Sequence, residues 1–160
     1  MSKVLEAFVH QQLAAFLEEK SVFNELQFGF RKGRSSTVLL LSCTDDWLLA
    51  MDAKQSTAVA FIDLSKAFDN VYHQLLLLTL QNYGIGGVAL AWSYNYLKGR
   101  HQRIVVFPDT SGPISCSKGV AQGSVLGPLL FNTYVADLPS IAEKHDAILP
   151  FFADDIFVLL

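Results

Sequence analysis

Two short apolar runs, residues 147–152 and 156–160, close around the tripeptide Ala153-Asp154-Asp155. Runs of this length bounded by turn residues read as strands, and Asp favours turns. The pattern predicts a β-hairpin with two carboxylates at its bend. A third acid, Asp63, lies near the end of residues 56–64, which are β-branched and apolar on both parities. That segment reads as a central strand covered on both faces. An ionised carboxylate in such surroundings costs on the order of several kcal/mol unless it is paired or binds a metal. If hairpin and strand are neighbours in one sheet, three carboxylates meet at one sheet end and their repulsion calls for cations. Hard oxygen ligands suit Mg²⁺, which keeps waters and is completed by substrate phosphates. Two such ions about 3.5–4 Å apart serve in-line phosphoryl transfer. Taken alone, however, an Asp-Asp pair is ordinarily a solvated turn.

The rest of the chain predicts helices around these strands. Residues 2–20 form an amphipathic helix with Val4, Phe8, Leu13 and Phe16 near one face. A turn follows at residues 28–34, and Ser35, Ser36 and Thr37 offer N-cap oxygens for a second helix to about Lys54. Residues 71–83 and 88–97 read as helices separated by Gly84, Gly86 and Gly87. Residues 103–107 read as a strand, 108–112 as a turn, and 114–120 as a strand pairing back. Residues 124–138 look helical, with Pro128 suited to a first turn. This order predicts an α+β domain, an antiparallel sheet with helices on one face.

Just over half of the 160 residues are hydrophobic and 17% are charged, which favours one packed domain over disorder. The apolar run 38–41 is far too short to span a bilayer, and the start of the chain is no signal peptide. The expectation is no membrane and an intracellular setting, with nucleus and cytoplasm both open. Cys43 and Cys116 lie far apart without metal-ligand spacing and read as two buried thiols. A net charge of −3 argues against nucleic-acid binding by the whole surface, but the basic residues cluster. Arg31, Lys32 and Arg34 form one group, and Lys98, Arg100, His101 and Arg103 another. Either could contact phosphates, and either would look the same as a solvated loop.

Four stretches, in order, carry a family resemblance. Phe61-Ile62-Asp63-Leu64-Ser65-Lys66-Ala67-Phe68-Asp69-Asn70-Val71 resembles the first catalytic motif of reverse transcriptases from non-LTR (LINE-like) retrotransposons. Residues 119–131, around Gln122-Gly123-Ser124, resemble their nucleotide-binding motif, and Phe152-Ala153-Asp154-Asp155 their second catalytic motif. Residues 27–37, Gln-Phe-Gly-Phe-Arg-Lys-Gly-Arg-Ser-Ser-Thr, resemble a fingers motif, and residues 96–102 are similar to the family too. The resemblance covers nearly the whole chain and is strongest to Jockey-like elements.

The resemblance implies a right-hand polymerase fold, with residues 1–55 on the fingers side and 56–160 in the palm. It implies an RNA-directed DNA polymerase core that transfers deoxynucleotides to a primer 3′-hydroxyl. The partners would be an RNA template, a DNA primer, dNTPs and the rest of a retrotransposon polyprotein, an endonuclease domain included. Asp63, Asp154 and Asp155 match the catalytic triad. Together with the backbone carbonyl of Leu64 they would hold two Mg²⁺ ions, or Mn²⁺. Phe68 stands where the family places its steric gate, a ring that leaves no room for a 2′-hydroxyl. It would serve equally as a core aromatic. Gln122 and Gly123 match residues at the nucleotide site, where glycine permits close backbone approach. Arg31, Lys32 and Arg34 fall where the fingers approach template or triphosphate. Lys66 and Asp69 read as structural and locally paired. Ala121 stands where relatives usually carry Pro, which loosens the loop before Gln122, and Ile156 stands where Thr is commoner. The chain starts after the family's first basic fingers motif and stops before the primer grip and thumb, so the fragment alone is expected to be inactive. The strand 156–160 is expected to be exposed and prone to self-association. The rival readings are a decayed or domesticated nucleic-acid-binding remnant, a non-catalytic RNA-binding module, and an intron-type reverse transcriptase.

Overall fold

The structure, a computed structural model, describes residues 2–159; Met1 and the expected strand end at Leu160 lie outside the described residues. Helix α1 (Ser2–Glu19) and helix α2 (Ser36–Asp52) precede strand β1 (Val59–Asp63). A 3₁₀ turn, Ala67–Asn70, leads to α3 (His73–Asn82) and α4 (Gly87–Leu97). Four two-residue strands follow: β2 (His101–Gln102), β3 (Val105–Val106), β4 (Asp109–Thr110) and β5 (Ile114–Ser115). Helices α5 (Gly127–Tyr134) and α6 (Leu138–Glu143) then lead to β6 (Phe151–Phe152) and β7 (Asp155–Leu159). The result is a mixed α+β fold.

The main sheet has the order β1-β7-β6 and is antiparallel throughout. The hairpin expected around Asp154 is therefore present as β6–β7, and β7 is the central strand of the sheet. Two expectations about this sheet are corrected. Residues 56–64 were expected to form a covered central strand, but β1 lies at an edge of the sheet, with Phe61 and Ile62 exposed. Its apolar residues signal β propensity, and propensity does not distinguish an edge from a centre. Strand 156–160 was expected to be exposed, yet Ile156 and Leu159 are buried, Ile156 within the main apolar core.

The core lies mainly on one face of the sheet. It gathers Leu17 of α1, Leu76 and Leu80 of α3, Leu97 of α4, and Phe151 and Ile156 of the hairpin. Helix α5 is the most enclosed element, with Leu129, Leu130, Phe131, Asn132 and Thr133 all buried. Pro128 sits in its first turn as expected. Helix α2 covers part of the opposite face through a smaller cluster of Leu39, Cys43, Phe28, Phe152 and Phe157. Its start follows the sequence: the Ser35 hydroxyl accepts the Val38 N–H at 3.2 Å.

Four local expectations fail. In α1, Val4 and Phe8 are exposed, and the inward line runs through buried Glu6 and Leu17 and half-buried Val9 and Leu13. A polar group at Glu6 selects that line, because its carboxylate accepts the Val125 N–H at 2.9 Å and the Tyr96 hydroxyl at 3.3 Å. In place of one hairpin, 103–107 with 114–120, two short ladders form. His101–Gln102 pairs with Ile114–Ser115, and Val105–Val106 with Asp109–Thr110. Helix 124–138 breaks into α5 and α6 at Val135–Asp137. Cys43 is buried as expected, but Cys116, next to β5, is only half-buried.

Candidate active site

Antiparallel register brings two of the three acids together. Asp63 is paired with Asp155, as Phe61 is with Phe157. Directly opposed residues share a sheet face, with Cβ atoms about 4.5–5.5 Å apart. The Phe61 and Phe157 ring centroids are 5.1 Å apart. Asp63 and Asp155 line one cleft with Ser36, Leu39, Phe61 and Phe152. Both acids are exposed, and neither is in an ion pair among the described residues. Unit charges about 4 Å apart repel by on the order of 1 kcal/mol at water-like screening, and no ion pair among the described residues offsets this.

Asp154 is half-buried at the bend, one residue after Ala153, whose φ of 58° is left-handed. Its backbone carbonyl accepts the Leu64 N–H at 3.4 Å, which ties the bend to the end of β1. Among the described residues no three His, Cys, Asp or Glu side chains are grouped closely enough to hold a metal ion. The donor chemistry nonetheless fits a hard divalent cation, because Mg²⁺ takes one or two carboxylates and completes its shell with waters and phosphates. The Asp63–Asp155 pair meets that need, and Asp154 is not gathered with it. The Leu64 carbonyl already accepts the Ala67 N–H at 3.1 Å and keeps one lone pair free.

Phe68 lies beside this sheet end, in the 3₁₀ turn. Its ring stacks on Phe131 at 4.5 Å and meets Phe30 edge-on at 6.0 Å. It is half-buried against the core, so it packs and also presents an edge. Its carbonyl accepts the Val120 N–H at 2.8 Å, anchoring the loop that leads to Gln122. Gln122 and Gly123 are exposed, and Gly123 has φ of 76° with open space where a side chain would stand. The Gln122 amide donates to Asp69 Oδ1 at 3.4 Å, so Asp69 is paired across 53 residues rather than locally. Lys66, at a left-handed φ of 52°, has no ion pair among the described residues, contrary to expectation. The loop is not loose at Ala121: its carbonyl accepts the Ser124 hydroxyl at 2.6 Å, and Ser124 Oγ accepts the Gly127 N–H at 2.9 Å.

The basic loop divides. Arg31 pairs with Glu18 at 2.7 Å, donates to the Asn24 and Gln27 carbonyls, and covers the Phe23 ring. Arg34 pairs with Glu25 and lies over Phe28. Lys32 is exposed and in no ion pair among the described residues. In the second group, Arg100 packs over Tyr96 at 4.1 Å, while Lys98, His101 and Arg103 are exposed.

Three polar residues beside the site escaped the sequence reading: Glu6, Gln27 and Asn132 are all buried. A signal existed for two of them. Glu6 interrupts an apolar stripe, and Asn132 sits inside the otherwise apolar first turns of α5.

Residues 1–160 match the family described as "Reverse transcriptase (RNA-dependent DNA polymerase)". Among curated proteins, the chain is 34% identical over 170 residues to "Probable RNA-directed DNA polymerase from transposon BS" of Drosophila melanogaster, covering 99% of this chain. It is 32% identical over 160 residues to "Probable RNA-directed DNA polymerase from transposon X-element" of the same species, again over 99% of this chain. It is 28% identical over 166 residues to "RNA-directed DNA polymerase from mobile element jockey" of Drosophila melanogaster. The chain spans 18% of the length of each of these relatives.

Proposed function

This chain belongs to the reverse transcriptase (RNA-dependent DNA polymerase) family, and we propose that it supplies the palm and part of the fingers of an RNA-directed DNA polymerase encoded by a non-LTR retrotransposon. The observation that carries the reading is the Asp63–Asp155 pairing, two exposed carboxylates opposed on one sheet face and in no ion pair among the described residues.

Members of the family use divalent metal ions. In this chain Asp63, Asp155 and Asp154, with the Leu64 carbonyl, would hold two Mg²⁺ ions, or Mn²⁺ in their place. Bound there, such ions supply activation of the primer 3′-hydroxyl and neutralisation of a departing pyrophosphate. The residues around them position the reactants. The Phe68 ring, braced by Phe131, would leave no room for a 2′-hydroxyl and so favour dNTPs. Gln122 and Gly123 would line the nucleotide, with Gln122 oriented by Asp69. Lys32 is the cation of the fingers-side loop best placed for phosphate, because Arg31 and Arg34 are spent on holding that loop. The division at about residue 55 is part of the proposal. The partners would be an RNA template, a DNA primer and the rest of a larger polyprotein. An intracellular setting is part of the same reading. No helix of the described residues is long and apolar enough to cross a membrane.

The test is primer extension on an RNA template by the complete reading frame that contains this chain. Asp63→Asn and Asp154→Ala should each lower extension by about 10²-fold or more; extension at the unaltered rate would remove that acid from the reaction. One observation favours a second reading: Asp154 is not gathered with the other two acids. A non-catalytic nucleic-acid-binding remnant would bind RNA in a salt-sensitive way, with no dependence on Mg²⁺ or on Asp63.

A further inference from the structure

Gln27 and Asn132 are 2% and 1% exposed, and they come from opposite ends of the chain. A buried amide is costly unless its donors and acceptor are met. Here they are met by each other and by a single glycine. Gln27 Nε2 donates to Asn132 Oδ1 at 3.1 Å. The Gly29 N–H donates to Gln27 Oε1 at 2.8 Å, and Asn132 Nδ2 donates to the Gly29 carbonyl at 2.7 Å. Both backbone polar groups of Gly29 are therefore gripped by side chains.

Gly29 in turn lies directly on the carboxylate hairpin. A Cβ at Gly29 would stand 2.3 Å from the Ala153 nitrogen and 3.0 Å from its Cα. Adjacent residues complete the seam: the Phe28 N–H donates to the Phe151 carbonyl, and the Phe151 N–H to the Leu26 carbonyl, both at 2.9 Å. Ala153 begins the left-handed turn that presents Asp154 and Asp155. A packing role alone would be filled as well by apolar side chains of similar shape. What apolar side chains cannot do is hold a peptide N–H and its carbonyl at fixed positions.

We propose that Gln27 and Asn132 are positioning residues, an amide clasp that fixes Gly29 on Ala153 and so sets where Asp154 and Asp155 stand relative to Asp63. The inference rests on the carboxylates being the working site. It couples the fingers-side loop to the palm through a rigid polar contact and not through the main apolar core.

Hydrogen exchange on this chain tests it, with α3 as the internal reference. In the unaltered chain the Gly29 amide is protected together with the Phe151 and Leu64 amides, which donate to the Leu26 and Asp154 carbonyls; free exchange at Gly29 overturns the clasp. In Asn132→Asp, which removes the donor to the Gly29 carbonyl, exchange at the Phe151 and Leu64 amides rises about tenfold while α3 is unchanged. Gln27→Glu, which keeps the acceptor for Gly29, gives a smaller rise at the same residues. Parallel loosening of α3 and these amides, or no change at these amides, overturns the proposal. Mn²⁺ binding by electron paramagnetic resonance separates the two readings. Weaker binding in Asn132→Asp supports positioning, and unchanged binding in that variant counts against it. Mn²⁺ binding indifferent to Asp63→Asn removes the carboxylate reading itself, whatever the exchange shows.

Discussion

Asp63 and Asp155 face each other across the β1–β7 ladder, each the register partner of the other. Like charges so placed oppose folding by roughly 0.2–1 kcal/mol. In a sheet whose other β1–β7 pairs are apolar, such a pairing is unfavourable unless something else binds there. Asp155→Asn should therefore raise the urea midpoint of this chain, by an amount equivalent to about 0.2–1 kcal/mol in metal-free buffer. The same substitution should abolish primer extension in the complete reading frame. A fall in the urea midpoint would show that the pair is not repulsive.

Glu6 joins α1 to the loop that follows Gln122. It is 8% exposed and accepts from the Val125 N–H and the Tyr96 hydroxyl. Burial pushes the Tyr96 phenol above its ordinary value. Glu6→Leu should cost about 1.5–3 kcal/mol in urea unfolding, because two donors lose a charged acceptor. Glu6→Gln should recover most of that loss. Equal loss in both variants would point to charge alone.

The basic loop should separate stability from binding. Arg31→Ala removes an ion pair, two carbonyl contacts and the cover over Phe23, and should lower the thermal midpoint of the chain. Lys32→Ala should leave that midpoint unchanged and reduce the salt slope of RNA binding by about one counterion. The reverse pattern would mean that Arg31, not Lys32, meets the phosphates.

The two thiols should differ in reactivity. Burial, with Asp46 nearby, pushes the Cys43 thiol above its ordinary value, and the thiolate is the attacking species. Cys116 is half-buried beside a short ladder. At about pH 8, maleimide should label Cys116 at least about tenfold faster than Cys43. Raising the pH should bring in Cys43 only beyond the usual thiol range. Mass spectrometry of the labelled peptides gives the ratio, and equal labelling would show that α2 is not seated on the sheet.

Local chemistry made much of this protein legible before any coordinates. A helix cap among Ser35, Ser36 and Thr37, Pro128 in a first turn and the bend at Ala153-Asp154 each depend on a few neighbouring residues, and each is found. The ordered motifs around Asp63, Gln122 and Asp154 were enough to indicate the family. Pairing and burial were not legible in the same way. The apolar residues of β1 would suit the centre of a sheet, and only tertiary structure places that strand at an edge and sets Asp63 opposite Asp155. Which stripe of α1 faces inward was decided by partners of Glu6 that lie about a hundred residues away. The grip of Gln27 and Asn132 on Gly29 is of the same kind. A sequence states which groups need a hydrogen bond, and only the folded chain decides which distant group supplies it.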